Sequence, residues 1–344
     1  MSLKIACVLM VVFLKSNQKD TKIMIEPNLT KVVNFLALHH ILQPQIIKIA
    51  GDASFRSYYR VLSGDSSYVL MFAPVGYENP QPFMKIANFL TEHNFFAPKI
   101  FAYQEQEGFL LLQDFGDISF NKALQQDVSL EFALYQKACL VLIDLQKLAT
   151  LPSINNYNNQ VLLQEAWLFI DWYLLWQKKP ATLTQKAFYK NELLKLFDKL
   201  NKQQQRLVLR DYHVDNLMLI GKQNSPEVGL LDFQDALIGS VAYDLVSLLE
   251  DARRDVGEQN KTDLYQYFLQ ESGYHQASFD ADYQVLSLQR NLKILGIFAR
   301  LALRDGKNQY LKFIPRIKRL VINRLAGNNF FNQKFAHQIL EWLQ

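Results

Sequence analysis

The apolar pattern of this chain changes period near residue 114. Before that point short β-like runs dominate, at Ile46–Ala50, Tyr58–Leu62, Tyr68–Phe72, Lys99–Tyr103 and Gly108–Gln113. Turn chemistry joins them, including Gly51-Asp52-Ala53-Ser54 and Ser63-Gly64-Asp65-Ser66. Val32, Val33, Leu36 and Leu38 open this part at helical spacing over Leu29–Leu42, Pro44 closes that segment, and a second helix is inserted over Pro82–Glu92. After residue 114 long helical patterns take over: Leu130–Leu148, Val161–Gln177, Lys186–Leu200, Tyr243–Arg254 and most of the stretch from Asp282 onward. The expectation is a bilobal α+β chain. A small antiparallel-sheet N-lobe occupies 28–113, a hinge 114–117, and a larger, mostly helical C-lobe 118–344, with 1–27 set apart as an N-terminal extension.

That extension carries an uninterrupted apolar run, Ile5–Leu14, shorter than the roughly 20 residues a membrane-spanning helix needs. Lys15-Ser16-Asn17-Gln18-Lys19 follows it where a signal peptide would place small residues, so an added strand or helix is the expectation. The two cysteines, Cys7 and Cys139, have no partner at disulfide-framework or zinc-ligand spacing, which suits a reducing cytoplasm. With 49% hydrophobic and 20% charged residues the composition is that of a globular protein, and a net charge of +4 admits an anionic partner such as a nucleotide.

The chemistry concentrates in residues 207–233. Leu217–Ile220 and Val228–Leu231 are apolar four-residue runs separated by a polar, Gly- and Pro-containing turn, which predicts a β-hairpin. Asn216 immediately precedes one run and Asp232 immediately follows the other, so strands of equal length return both side chains to one open end, beside the loop carrying Asp211. Magnesium takes hard oxygen ligands, often only one or two from protein, so Asn216 and Asp232 are the candidate metal pair. Asp211 is left for proton transfer, and an Asp four intervening residues before a metal-binding Asn has the catalytic-loop spacing of kinases.

At these residues the sequence resembles the aminoglycoside-phosphotransferase and choline-kinase superfamily, which shares the protein-kinase fold. Within it, Arg210-Asp211-Tyr212-His213 through Asn216, Leu231–Ala236 and Tyr243–Asp255 are similar to the N-acetylmuramate/N-acetylglucosamine anomeric kinases of bacterial cell-wall recycling. Gly51–Arg56, Phe298–Leu301 and Arg304–Lys307 extend the likeness, which runs from about residue 28 to the end. The resemblance implies ATP and Mg2+ as cofactors, Asp211 as catalytic base, Asn216 and Asp232 as metal ligands, and a small amino sugar as acceptor in a cytoplasmic enzyme. It implies no nucleic acid, membrane or obligate protein partner. The nucleotide site would comprise Gly51, Asp52, Ser54, Phe55 and Arg56, with Gln113 and Asp114 at the lobe boundary. The chain departs from many kinases at Met71, where a phosphate-binding Lys is common, and at Leu209, where a His often precedes the loop. Arg56, then Arg60, is the expected substitute for the missing charge.

Bland readings stand beside these. Asp244 suits a helix N-cap or first turn, and the aromatic stripe Trp167, Phe169, Trp172, Trp176 suits a core. His213, Glu165, Trp172, Arg253, Arg300 and Arg304 are nevertheless candidate substrate ligands. Three other functions compete: an aminoglycoside-modifying kinase, a non-catalytic nucleotide-binding pseudokinase, and a nucleic-acid binder. A polycationic antibiotic calls for acidic lining, whereas residues 282–344 carry eleven Lys and Arg against three acids. The base and metal positions are all filled, which opposes a pseudokinase, and no basic-aromatic nucleic-acid module occurs.

Overall fold

The computed structural model describes residues 25–49, 55–149, 153–221 and 226–344, so Ile5–Leu14 and the segment Gly51–Ser54 lie outside the described residues. The chain forms two compact units. One is the described part of Met1–Ile118 together with Met218–Gln234; the other is Ser119–Leu217 with Asp235–Gln344.

The first unit begins with α1 (Leu29–Leu38), whose N-cap Asn28 accepts a hydrogen bond from the Lys31 N–H at 3.2 Å. Five antiparallel strands follow: β1 (Gln45–Lys48), β2 (Ser57–Ser63), β3 (Ser66–Phe72), β4 (Ile100–Gln104) and β5 (Phe109–Gln113). Their order in the sheet is β1-β2-β3-β5-β4, with α2 (Gln81–Glu92) inserted after β3. Ser63 pairs with Ser66, so Gly64-Asp65 is a two-residue turn, and Gly64 takes the positive φ of 56° that such a turn requires. Val32, Phe35 and Leu36 of α1 pack on Tyr59, Val61, Leu70, Phe72, Phe109 and Leu111 of the sheet. Burial of each such side chain contributes about 1.5–3 kcal/mol, and that is what fixes the helix to one sheet face.

The expected hairpin is present as the two-stranded sheet of β7 (Leu217–Ile220) and β8 (Glu227–Leu230). It joins the first unit through backbone bonds, Leu219 N–H to the Ile118 carbonyl at 2.8 Å and Leu230 N–H to the Phe96 carbonyl at 2.7 Å. Gly229 allows this approach, since a Cβ there would stand 2.8 Å from the Phe115 ring. β8 ends at Leu230, one residue before the end expected from the apolar run, so Leu231 intervenes between strand and Asp232.

The second unit is helical: α3 (Phe120–Gln126), α4 (Glu131–Lys147), α5 (Asn159–Leu168), α6 (Leu174–Trp176), α7 (Leu183–Phe197), α8 (Ala242–Leu249), α9 (Glu258–Ser272), α10 (Gln276–Leu303), α11 (Ile314–Leu325) and α12 (Gln333–Leu343). A two-stranded sheet of β6 (Gln205–Val208) and β9 (Leu237–Ser240) interrupts it, four residues against four. The helix expected over Val161–Gln177 is broken by a π-helical turn at Phe169–Tyr173. The one expected over Tyr243–Arg254 stops at Leu249, because Glu250 leaves helical geometry and turns its buried carboxylate to Ser287, Asn291 and Arg324.

α10 runs for 28 residues, about 42 Å at 1.5 Å per residue, and its middle is buried all round. Gly296 is where it meets the π turn: a Cβ at that position would lie 2.3 Å from the Leu168 carbonyl carbon. Backbone cannot yield as a flexible side chain does. Gly296→Val is therefore expected to destabilise the protein by about 1–3 kcal/mol, the usual cost of overpacking, read as a lowered denaturation midpoint with unchanged m-value.

Candidate active site

Leu209 to Asn216 form the loop between β6 and β7. It closes on itself: Asp211 N–H donates to the Leu209 carbonyl at 2.9 Å, Asn216 N–H to the His213 carbonyl at 2.9 Å, and Asn216 Nδ2 to the Asp211 carbonyl at 3.0 Å. Arg210 holds a left-handed φ of 72°, a conformation costing of order 1–3 kcal/mol in a non-glycine residue. The restraint comes from Asp244 in the first turn of α8. Its carboxylate accepts the Leu209 N–H at 2.7 Å and the Arg210 N–H at 2.8 Å. Asp244 is thus a first-turn residue, one of the two places its sequence context suggested, and from there it anchors the loop; burial pushes its carboxyl up to about 7 against the pull of those two bonds.

Other elements hold the remaining length. Tyr212 Oη donates to the Ala138 carbonyl in α4 at 2.9 Å, while Asn121 in α3 gives its N–H to the Val214 carbonyl at 3.1 Å and its amide to Asp215 at 2.6 Å.

Between these anchors the Asp211 carboxylate accepts no hydrogen bond from any described residue. Burial pushes its pKa up, but the cations Lys293, Arg290 and Arg210 pull harder, and the carboxyl ends below the ordinary range. It is ionised at neutral pH. Lys293 and Arg290 stand one turn apart on α10, so the long helix supplies two of these cations.

His213 is buried, with Nε2 at 3.3 Å from both Asn216 Nδ2 and Arg253 Nη1. Both neighbours are donors, so Nε2 accepts and the ring is neutral, in keeping with the downward push of burial and of Arg253 on its pKa. Asn216 uses its amide group on Asp211 and His213, and that decides which end of the side chain carries oxygen. Arg253 also reaches Asp215 at 3.3 Å. His213 and Arg253, read from sequence as substrate candidates, are thereby tied to the loop.

Asp232 sits in the first unit with a positive φ of 58°, accepts Gln234 Nε2 at 2.7 Å, and precedes Phe233, whose ring stacks on Phe83 at 5.2 Å. Of the expected nucleotide residues, Gly51, Asp52 and Ser54 lie outside the described residues. Phe55 N–H donates to Glu78 at 2.8 Å, and Arg56 lies 3.7 Å from the same carboxylate. Gln113 ends β5, its N–H bonded to the Lys99 carbonyl at 2.9 Å. Asp114 is occupied by Arg60 at 2.7 Å, Ser67 and the Gly116 N–H at 2.8 Å, while Arg60 also binds Asp117 at 2.8 Å. Asp114 and Arg60 therefore tie β2 and β3 to the segment that follows β5, and Met71 is fully buried in β3.

Glu165 departs furthest from expectation. One carboxylate oxygen takes Arg210 Nη2 and Lys293 Nζ, the latter at 2.9 Å; the other takes Tyr157 Oη and Gln289 Nε2, the latter at 3.2 Å. Four protein donors leave it no place for a sugar hydroxyl. Of the stripe, Phe169 is core, whereas Trp172 is partly exposed in the π turn. Arg304 is taken by Asp305 at 2.6 and 2.9 Å. Arg300 has a buried Nε without a partner among the described residues. It lies seven residues beyond Lys293, hence on the same face of α10 and about 10 Å along it. The anchoring by Asp244, the Glu165 cluster and the non-local β6–β9 pairing have no local sequence signature.

A profile of the phosphotransferase enzyme family matches residues 45–281. An N-acetylmuramate/N-acetylglucosamine kinase of Pseudomonas putida is 34% identical over 292 residues, 81% of this chain and 82% of that protein. One of the same name from Pseudomonas aeruginosa is 33% identical, covering 82% of this chain and 84% of its own. Among solved structures, an ADP-bound aminoglycoside phosphotransferase superposes with a TM-score of 0.57 at 16% identity over 83% of this chain and 94% of its own, a likeness of fold.

Asp244→Ala leaves two N–H groups without an acceptor. It is expected to cost at least about 2 kcal/mol of stability, given roughly 1–3 kcal/mol per unsatisfied buried group. Denaturant titration checks this, with a fall in kcat at unchanged ADP affinity as the functional sign that the loop has shifted.

Proposed function

This chain belongs to the phosphotransferase enzyme family, and we propose that it moves the γ-phosphate of ATP to the anomeric hydroxyl of N-acetylmuramate or N-acetylglucosamine, releasing ADP and a sugar 1-phosphate. The observation that carries the reading is the Asp211 carboxylate, ionised and unbonded to any described residue on a loop anchored from three helices. The curated relatives' shared name supports the acceptor.

Asp211 accepts the acceptor's proton as its oxygen attacks phosphorus, and its place within the loop orients that hydroxyl. An anomeric hydroxyl is more acidic than an ordinary alcohol, so a carboxylate held below its usual pKa is an adequate acceptor. Asn216 and Asp232 are the proposed magnesium ligands; their hard oxygens in a sparse protein set fit an ion that completes its shell with phosphate and water. Magnesium, when bound, neutralises charge on the phosphates. Gly51–Arg56 is proposed to cover those phosphates, and Arg56 to supply charge in place of the lysine that Met71 replaces. Among the described residues no helix is long and apolar enough to cross a membrane; the use of ATP supports a cytoplasmic reaction in cell-wall sugar recycling.

Arg300 is the proposed partner of the N-acetylmuramate carboxylate, since Arg304 is already neutralised by Asp305. Arg300→Ala is expected to raise KM for N-acetylmuramate about tenfold or more, the value of one charge-assisted hydrogen bond, and KM for N-acetylglucosamine far less. Equal losses on both sugars remove that role.

Asp211→Asn should reduce kcat by about 10²-fold or more while calorimetric ATP affinity is kept, as loss of a general base demands. Retention of more than about a tenth of wild-type kcat would overturn the base assignment. Turnover of kanamycin with none of either sugar would move the acceptor class to aminoglycosides.

A further inference from the structure

Two cations adjoin the Asp211 base, and neither is paired with it. Arg210 is its immediate chain neighbour, and Lys293 on α10 is buried and close enough to lower the Asp211 pKa. Left to themselves, an arginine or lysine beside a carboxylate in a poorly solvated site would close an ion pair with it. Such a pair would occupy the oxygens that the acceptor hydroxyl must reach. Instead both cations turn to the same carboxylate, Glu165 on α5, with Lys293 Nζ at 2.9 Å and Arg210 Nη2 also bonded to it.

The remaining contacts fix that arrangement. Tyr157 and Gln289 fill the second oxygen of Glu165, the Arg210 guanidinium lies 5.4 Å from the Tyr157 ring centroid, and Lys293 Nζ is 3.3 Å from Tyr243 Oη. Arg210 Nη1 also donates to the Asp235 carbonyl at 2.9 Å. The guanidinium thus joins the loop of Asp211 to the segment that follows Phe233 and Gln234. Arg290, the other nearby cation of α10, donates to Ser247 at 2.7 Å.

We propose that Glu165 is a positioning residue for phosphoryl transfer: by engaging Arg210 and Lys293 together it keeps both from pairing with Asp211, so that the base stays open to the acceptor hydroxyl. This rests on the reading of Asp211 as base, not on which sugar is used. A purely structural role would appear as lost stability or ADP affinity with kcat of the folded enzyme near wild type, because removing one partner of a buried ion pair is costly to the fold. The positioning role predicts a loss of kcat itself, relieved when one of the two released cations is also removed.

The test compares Glu165→Gln with the double variant Glu165→Gln/Lys293→Met. Turnover is followed with N-acetylglucosamine and as ATP hydrolysis to water, so the comparison does not depend on the sugar. Glu165→Gln is expected to lower kcat about tenfold or more with KM for ATP within about threefold, as misplacement at a reacting group does. The double variant, which removes one of the two released cations, is expected to recover kcat severalfold over the single. Calorimetric ADP affinity verifies that each protein is folded.

A single variant with more than half the wild-type kcat, or a double variant no faster than the single, overturns the proposal. Should Glu165→Gln fail to bind ADP, Glu165→Asp takes its place: its retracted carboxylate cannot span both cations, so reduced kcat supports the role and wild-type kcat overturns it. Asp211→Asn run in parallel separates the two readings. If it is active, the base assignment fails; if it is inactive beside a fully active Glu165 variant, only the positioning role fails.

Discussion

The site depends on one carboxylate that takes no part in the chemistry. Asp244 accepts two successive backbone N–H groups, of Leu209 and Arg210, and so compels the left-handed turn from which Asp211 projects. A strained φ persists only where its surroundings over-determine it. Here they do: Asp244 belongs to α8, every residue of which is buried, so the loop inherits the rigidity of the helical core. Tyr212 and Asn121 carry the same restraint to α4 and α3.

Around that loop the second unit manages its charges internally. The basic excess after residue 282 looks in sequence like a surface prepared for an anionic substrate. Part of it is inward, where Lys293 serves Glu165, Arg290 serves Ser247 and Arg324 serves the buried Glu250, and part is paired at the surface, where Arg316 and Arg319 share Asp255. Buried ion pairs contribute little net stability, because desolvation offsets attraction, yet removing one partner is costly. Their consequence is specificity of arrangement, and at Glu165 that arrangement holds Lys293 and Arg210, the chain neighbour of the base.

The strands and helices of the first unit were legible because each is a local apolar period bounded by turn residues. The hairpin and its flanking Asn216 and Asp232 were legible for the same reason, with an error of one residue at the end of β8. Less visible were α3, α9 and the β6–β9 pair. Four-residue strands carry no decisive period, and Gln205–Val208 pairs with Leu237–Ser240 across the whole intervening loop and hairpin. The π turn was also hidden, since its aromatic spacing is close to that of an ordinary helix.

What the sequence determined by itself was the change from sheet to helix along the chain, the α+β class and the Asp211, Asn216, Asp232 motif, since periodicity, turn chemistry and spacing are properties of neighbours along the chain. Tertiary structure decided which charged side chains are already occupied. Asp114 and Arg60 became a staple, Glu165 a holder of two cations, Arg304 a partner of Asp305, and Arg300 kept an unpartnered Nε among the described residues. A side chain's identity states what it can bond to; only the packing of residues 45 or 128 positions away states whether it has already done so.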